Sequence, residues 1–219
     1  MIISLLSALL LQSAAPLPEP ELVPDSALTG EAQPAFDRAA AIADINAYLN
    51  GITTLRARFV QVAPNGSAAR GLLSMSRPGR LLFEYDDPSP IRVIADGTTV
   101  GLEDRDLETV DRAPLRSTPL WWLLKSDIDI AQDAEIVDIN EEHGFLSIIV
   151  RDPNGEMEGE IEFLFDAENH ELQQWFVTDA LGEVTRVTLL DVETGMALSP
   201  RLFVIPDPDA DRSSRRGRR

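Results

Sequence analysis

Hydrophobic and polar residues alternate with period two along most of this chain, in short runs. Leu55, Ala57 and Phe59 interleave with Arg56, Arg58 and Val60, a spacing that sends alternate side chains to opposite faces of a strand. Leu73, Met75 and Arg77 share a face, as do Leu81, Phe83 and Tyr85, and then Ile91 and Val93. Pro78-Gly79, Asp87-Pro88 and Asp96-Gly97 separate these runs as turns. Further short strands are expected over residues 100–102, 107–110, 135–139, 145–150, 159–165, 173–178, 184–190 and 201–205. Turns are expected near His143-Gly144, at residues 152–155 and at Leu181-Gly182. Many short strands at even spacing predict an antiparallel barrel or a strongly curved sheet.

Two segments follow a different period. Ala39, Ile42, Ile45, Leu49 and Ile52 recur every three or four residues, which predicts an amphipathic helix over residues 34–50 with Asn50-Gly51 as its stop. Thr118 and Pro119 suit the N-cap and first position of a second helix. Its Leu120-Trp121-Trp122-Leu123-Leu124 run is apolar nearly all round. The fold class is therefore α+β and mainly β.

The ends read differently from the middle. Ile2 to Leu11 is apolar but too short to span a bilayer, and Ser13-Ala14-Ala15 follows as a small-x-small pattern, so residues 1–15 read as a secretory signal peptide. Residues 16–34 hold five prolines and several acids without periodicity and read as a linker. The folded domain is expected over residues 35–208, followed by a basic tail at 209–219. Export would place the product outside the cytoplasm.

Composition narrows the classes. At 219 residues and 44% hydrophobic content the chain can bury one sizeable core. Net charge is −18; residues 212–219 carry five of the 19 basic residues and no acid, leaving 14 basic against 37 acidic before them, a balance of −23. Such a body has no means to neutralise a run of phosphates, so no nucleic-acid partner is expected. With no cysteine, disulfides, thiolate chemistry and a lipid-bearing N-terminal cysteine are excluded.

Little points to catalysis. His143 and His170 fall in polar turns, where solvated histidines are ordinary. Asp152, Glu156, Glu158, Glu160 and Glu162 do not fit a calcium loop; Glu160 and Glu162 alternate with Ile161, Phe163 and Phe165 as one wet face of a sheet does. A hydrolase would need Asp86/Asp87 or Glu103/Asp104/Asp106 to converge with raised pKa values, yet both sets sit at strand-end turns. An interaction module without a ligand is the third class. Arg77 is less ordinary. Period two aims it at the apolar face, where a charge is costly unless paired; alternatively it snorkels to solvent, because Pro78 ends the strand.

The order of motifs resembles the outer-membrane lipoprotein carrier family, LolA, over residues 44–208. Phe59-Val60-Gln61 is similar to the family's F-x-Q strand, and Gly71-Leu72-Leu73-Ser74-Met75-Ser76-Arg77-Pro78 to its G-x-L-x-[IV]-x-R-P segment. Tyr85, Pro88 and Asp96-Gly97 fall where the pattern has an aromatic, a proline and a D-G turn. Thr118-Pro119-Leu120-Trp121-Trp122-Leu123-Leu124 resembles its T-P-x-x-L-L helix, and Phe203 precedes Pro206 and Asp207 as in the family. One departure stands out: the family often has a tryptophan after the D-G turn, where this chain has Val100-Gly101-Leu102. The resemblance implies an incomplete antiparallel β-barrel closed by a helical lid, binding lipoprotein acyl chains without cofactor, metal or catalysis. It implies loading by an inner-membrane ABC transporter and delivery to an outer-membrane acceptor, by a monomer. Carried over, the lid latch is Arg77. The acyl-chain cavity is Phe59, Leu73, Met75, Leu81, Phe83, Tyr85 and Val93, and the lid carries Leu120, Trp121 and Leu124. A carrier or sensor of another lipid or glycolipid on the same fold is the alternative.

Overall fold

A computed structural model describes residues 36–207, except Glu156 and Glu158; the expected signal peptide, linker and basic tail lie outside the described residues. The first described element is α1 (Arg38–Gly51). The Asp37 carboxylate accepts from the backbone N–H groups of Ala39 and Ala40, meeting donors that have no partner within the helix. That cap places the helix start after residue 34. The buried stripe is Ala41, Ile45 and Leu49, with Ile52 just beyond the helix, while Ala39 is exposed.

Six strands follow: β1 (Thr54–Val62), β2 (Ala68–Ser76), β3 (Arg80–Tyr85), β4 (Ile91–Asp96), β5 (Thr99–Asp104) and β6 (Thr109–Pro114). A 3₁₀ turn (Leu115–Ser117) and two one-turn helices, α2 (Trp121–Leu124) and α3 (Ile130–Asp133), lead to β7 (Glu135–Glu142). Then come β8 (Phe145–Arg151), β9 (Glu160–Asp166), β10 (Leu172–Thr178) and β11 (Val184–Thr194). All lie in one antiparallel sheet ordered β6-β5-β4-β3-β2-β1-β11-β10-β9-β8-β7. Two meanders are thus joined by pairing of the first strand with the last. Among the described residues the sheet is not closed: β6 and β7 are its free edges, and residues 115–134 connect them.

The sheet is strongly curved. Phe83 on β3 and Trp175 on β10 are four strands apart, a separation of about 19 Å in a flat sheet. Their ring centroids are 6.2 Å apart. The concave face carries the main core, with Leu55, Ala57, Phe59, Leu73, Leu81, Phe163 and Phe165 buried together. On the convex face Leu82, Ile94 and Phe203 form a second cluster with Leu198 and Ile205.

Several local expectations are corrected. Thr118 is not an N-cap: its hydroxyl donates back to the Leu115 carbonyl at 2.8 Å, and α2 begins only at Trp121. Residues 201–205 are not a strand. Ser199 accepts from the Arg201 N–H, Pro200 occupies the first helical position, and a 3₁₀ turn spans Pro200–Phe203. Leu107 lies in the β5–β6 turn, 68% exposed, because Asp104 accepts from the N–H groups of Asp106 and Leu107 and turns the chain there.

Candidate functional site

The concave face is organised around Phe59. Its ring meets Phe83 edge-on at 5.0 Å and Tyr85 at 5.1 Å. Gly71 stands opposite Phe59 in β1 and opposite Tyr85 in β3. A Cβ on Gly71 would lie 2.5 Å from the Phe59 ring and 2.2 Å from the Glu84 carbonyl oxygen, so the aromatic ring takes the room a side chain would need. The Tyr85 hydroxyl donates to Gln61 Oε1 at 2.7 Å. Burial pushes this phenol above its ordinary value.

Between this interior and the helices lies a void with a free volume of about 20 Å³, room for a single water and no more. Leu73, Met75 and Leu81 line it, with Arg77 at its edge. Phe59, Phe83, Tyr85 and Val93 belong to the same apolar interior but do not line the void. From α2, Leu123 reaches it; Leu124 is fully buried elsewhere in the core, and Leu120 and Trp121 are half-buried against it. Trp121 lies under the Arg116 guanidinium, 4.7 Å from the ring centroid. Leu49, Ile52, Leu55, Leu172, Trp175 and Leu189 also line the void. Their in-facing positions are legible from periodicity, but their convergence on one point is not.

Arg77 sits just past β2, where two helix ends meet the rim of the curved sheet. Its Nε and Nη2 donate to the Lys125 carbonyl at 3.1 and 2.7 Å. Nη1 donates to the Leu49 carbonyl and, at 3.3 Å, to that of Ile52. One guanidinium thereby serves the C-terminal ends of both α1 and α2, whose last carbonyls have no partner within the helix. A cation also suits the negative end of a helix dipole. Burial lowers the guanidinium's pKa from its ordinary value while Asp127 opposes, and the group stays charged. The turn itself contributes: the Gly79 N–H donates to the Leu124 carbonyl at 2.7 Å and the Arg77 N–H to that of Thr53 at 2.8 Å. A Cβ on Gly79 would lie 2.6 Å from the Gly97 Cα. The R-P-G and D-G turns therefore pack backbone against backbone.

Two residues that periodicity leaves unremarked also face this rim. Asn50 Nδ2 donates to the Ile128 carbonyl at 2.8 Å, and Asn50 Oδ1 accepts from the Ile128 N–H at 2.9 Å. Asn46 Oδ1 accepts from the Ile130 N–H at 3.1 Å. A spacing of four residues on one helix is the only sequence signal for the pair.

The groups considered for catalysis lie elsewhere. Asp86 pairs with Arg58, which holds its carboxyl below the ordinary range, opposite to a poised acid. Glu103 pairs with Arg92 at 2.6 Å. Among the described residues no group of carboxylates and histidines is arranged to hold a metal. Glu162 accepts from the Ser147 hydroxyl at 2.6 Å. His143 and His170 occupy turns, in a backbone conformation with positive φ.

A family model described as "Outer membrane lipoprotein carrier protein LolA" matches residues 50–206. An outer-membrane lipoprotein carrier protein from Chromobacterium violaceum is 29% identical over 196 residues, which cover 86% of this chain and 93% of the relative. One from Pseudomonas paraeruginosa is 30% identical over 185 residues, covering 78% and 86% respectively. Among solved structures, a DUF1329 family protein from Desulfovibrio piger is similar with a TM-score of 0.50 at 9% identity, covering 76% of this chain and 96% of that one. At that identity the likeness is one of fold alone.

Proposed function

The chain belongs to the LolA family of outer-membrane lipoprotein carriers, and from that premise we propose that it holds the acyl chains of lipoproteins in its concave interior. In this reading it carries them across the periplasm, from an inner-membrane ABC transporter to an outer-membrane acceptor. It is a carrier and performs no chemistry. Residues 115–134 act as the lid, α1 flanks it, and Arg77 is the latch.

The observation that carries this reading is the Arg77 guanidinium, fastened to carbonyls of both α1 and the lid segment beside a small void in the apolar interior. Burying a chain yields about 0.8 kcal/mol per CH₂, or about 10 kcal/mol for one long chain. Several chains in a perfect pocket would approach the practical ceiling of roughly 20 kcal/mol for non-covalent binding. Such a carrier would never let go. An interior plugged by its own Leu123, Leu49 and Ile52 moderates the grip, because cargo must first displace those contacts and the Arg77 bonds. The void of about 20 Å³ therefore fits a closed form whose cavity appears only as the lid parts from α1.

The test is competition. The purified chain is expected to bind an apolar fluorescent probe and to release it when an acylated lipopeptide is added. Binding of the probe without displacement by the lipopeptide, or no binding at all, would overturn the reading.

A further inference from the structure

The void lies between the concave face of the sheet and the helices, met by Leu49 and Ile52 from α1 and its end and by Leu123 from the lid segment. These two sides are anchored differently. α1 runs directly into β1, in the middle of the sheet. The lid segment hangs between the two free edges, β6 and β7. On the side away from the sheet, the void can enlarge by parting α1 from residues 115–134, and every bond across that seam opposes that movement.

Arg77 spans the seam as a third party, rooted in the β2–β3 turn. Asn50 and Asn46 cross it directly. The Asn50 amide makes a two-point pair with the Ile128 backbone, donating at 2.8 Å and accepting at 2.9 Å. One turn earlier, Asn46 accepts from the Ile130 N–H at 3.1 Å. Ile128 and Ile130 are themselves buried at 3% and 4% exposure, so these bonds fix the depth at which two core side chains enter. A carboxamide suits this task because it presents a donor and an acceptor side by side, as a strand edge does. Asp133 orders the same segment from within: it accepts from the Asp129 N–H at 2.8 Å and pairs with Lys125.

We infer that Asn50, supported by Asn46, is a second fastening of the lid, a positioning pair that acts on the α1 side independently of Arg77. The inference rests on the carrier reading above. Loading then requires two releases, that of the guanidinium at the rim and that of the amide pair along the seam. In the closed form, removing the amide leaves the Ile128 N–H and carbonyl short of partners; in the open form both reach water. The loss therefore penalises closure selectively.

The experiment measures affinity for an apolar fluorescent fatty-acid probe alongside the urea unfolding midpoint. It uses wild type, Asn50→Ala, Asn46→Ala, Arg77→Ala and the Asn50→Ala/Arg77→Ala pair. Asn50→Ala is expected to bind the probe roughly fivefold more tightly, the low end of what two net hydrogen bonds are worth. Asn46→Ala is expected to tighten binding less, and the double variant to bind more tightly than either single one. Stability is expected to fall slightly while affinity rises at an unchanged probe stoichiometry; a merely structural loss that exposes apolar surface instead raises the number of probes bound. If Asn50→Ala fails to fold, Asn46→Ala carries the test. Unchanged or weaker binding by these variants, with wild type binding the probe, overturns the second fastening and leaves the carrier reading standing. Absence of probe binding by wild type overturns both.

Discussion

Arg77 shows how a residue's surroundings decide what its charge does. In an apolar interior it would be a liability; at a rim it finds the Lys125, Leu49 and Ile52 carbonyls within reach. A net hydrogen bond to a charged group is worth about 1.5–3 kcal/mol. Arg77→Leu keeps the stem's packing but forfeits those bonds, so the lid should stay open and cargo should be held more tightly. Release of a bound lipopeptide to acceptor membranes is expected to slow by on the order of tenfold or more. Equal transfer rates for variant and wild type in a reconstituted hand-off assay would refute the latch. Gly71 makes the complementary point: its lack of a side chain is what lets the Phe59 ring lie against β2.

Among the elements, the β4–β5 turn has a titratable support. Asp96 Oδ1 accepts from the Thr98 and Thr99 N–H groups, both at 2.9 Å. Partial burial pushes its carboxyl up, but these bonds and the Thr98 hydroxyl outweigh it, leaving the pKa below the ordinary 3.8. A folded-state pKa below the unfolded one means stability that is complete above the unfolded value and lost as pH falls through the folded one. The turn should therefore be indifferent to pH near neutrality and weaken only below about pH 4. Urea midpoints from pH 7 to pH 2.5 check this: Asp96→Asn is expected to flatten the acid limb. An unaltered limb would assign it to other carboxylates. Because this turn packs on Gly79, its loss also loosens the seat of Arg77.

For the molecule as a whole, charge and topology act over longer range. A net charge of −18 repels itself most in the compact state. Paired residues such as Arg92 with Glu103 offset only part of it. Raising ionic strength from about 0.01 to 0.15 M shortens the screening length from about 30 to 8 Å, so the thermal midpoint should rise with salt. A scanning-calorimetry series showing a fall would mean that local ion pairs outweigh the overall repulsion.

Local periodicity settled much of this protein without any structure. Period two identified the faces of β1, β2, β3 and β9, turn chemistry located turns such as Pro78-Gly79, Asp96-Gly97 and His143-Gly144 but not those of β1–β2 and β5–β6, and an i, i+4 stripe found α1, because each of these depends on neighbours within a few residues. The same locality misled at residues 201–205, where the alternation of Phe203 and Ile205 reflects packing on the convex cluster and not a strand. Only the tertiary structure decided that β1 pairs with β11, which brings Trp175 against Phe83 and leaves β6 and β7 as edges. It also decided which in-facing residues meet at the void and where Arg77, Asn46 and Asn50 find their carbonyls and amides. Strand faces follow from a repeat written in the chain. Partners brought together across 48 residues, as Arg77 and Lys125 are, or across 78, as Asn50 and Ile128 are, follow only from how the curved sheet returns on itself.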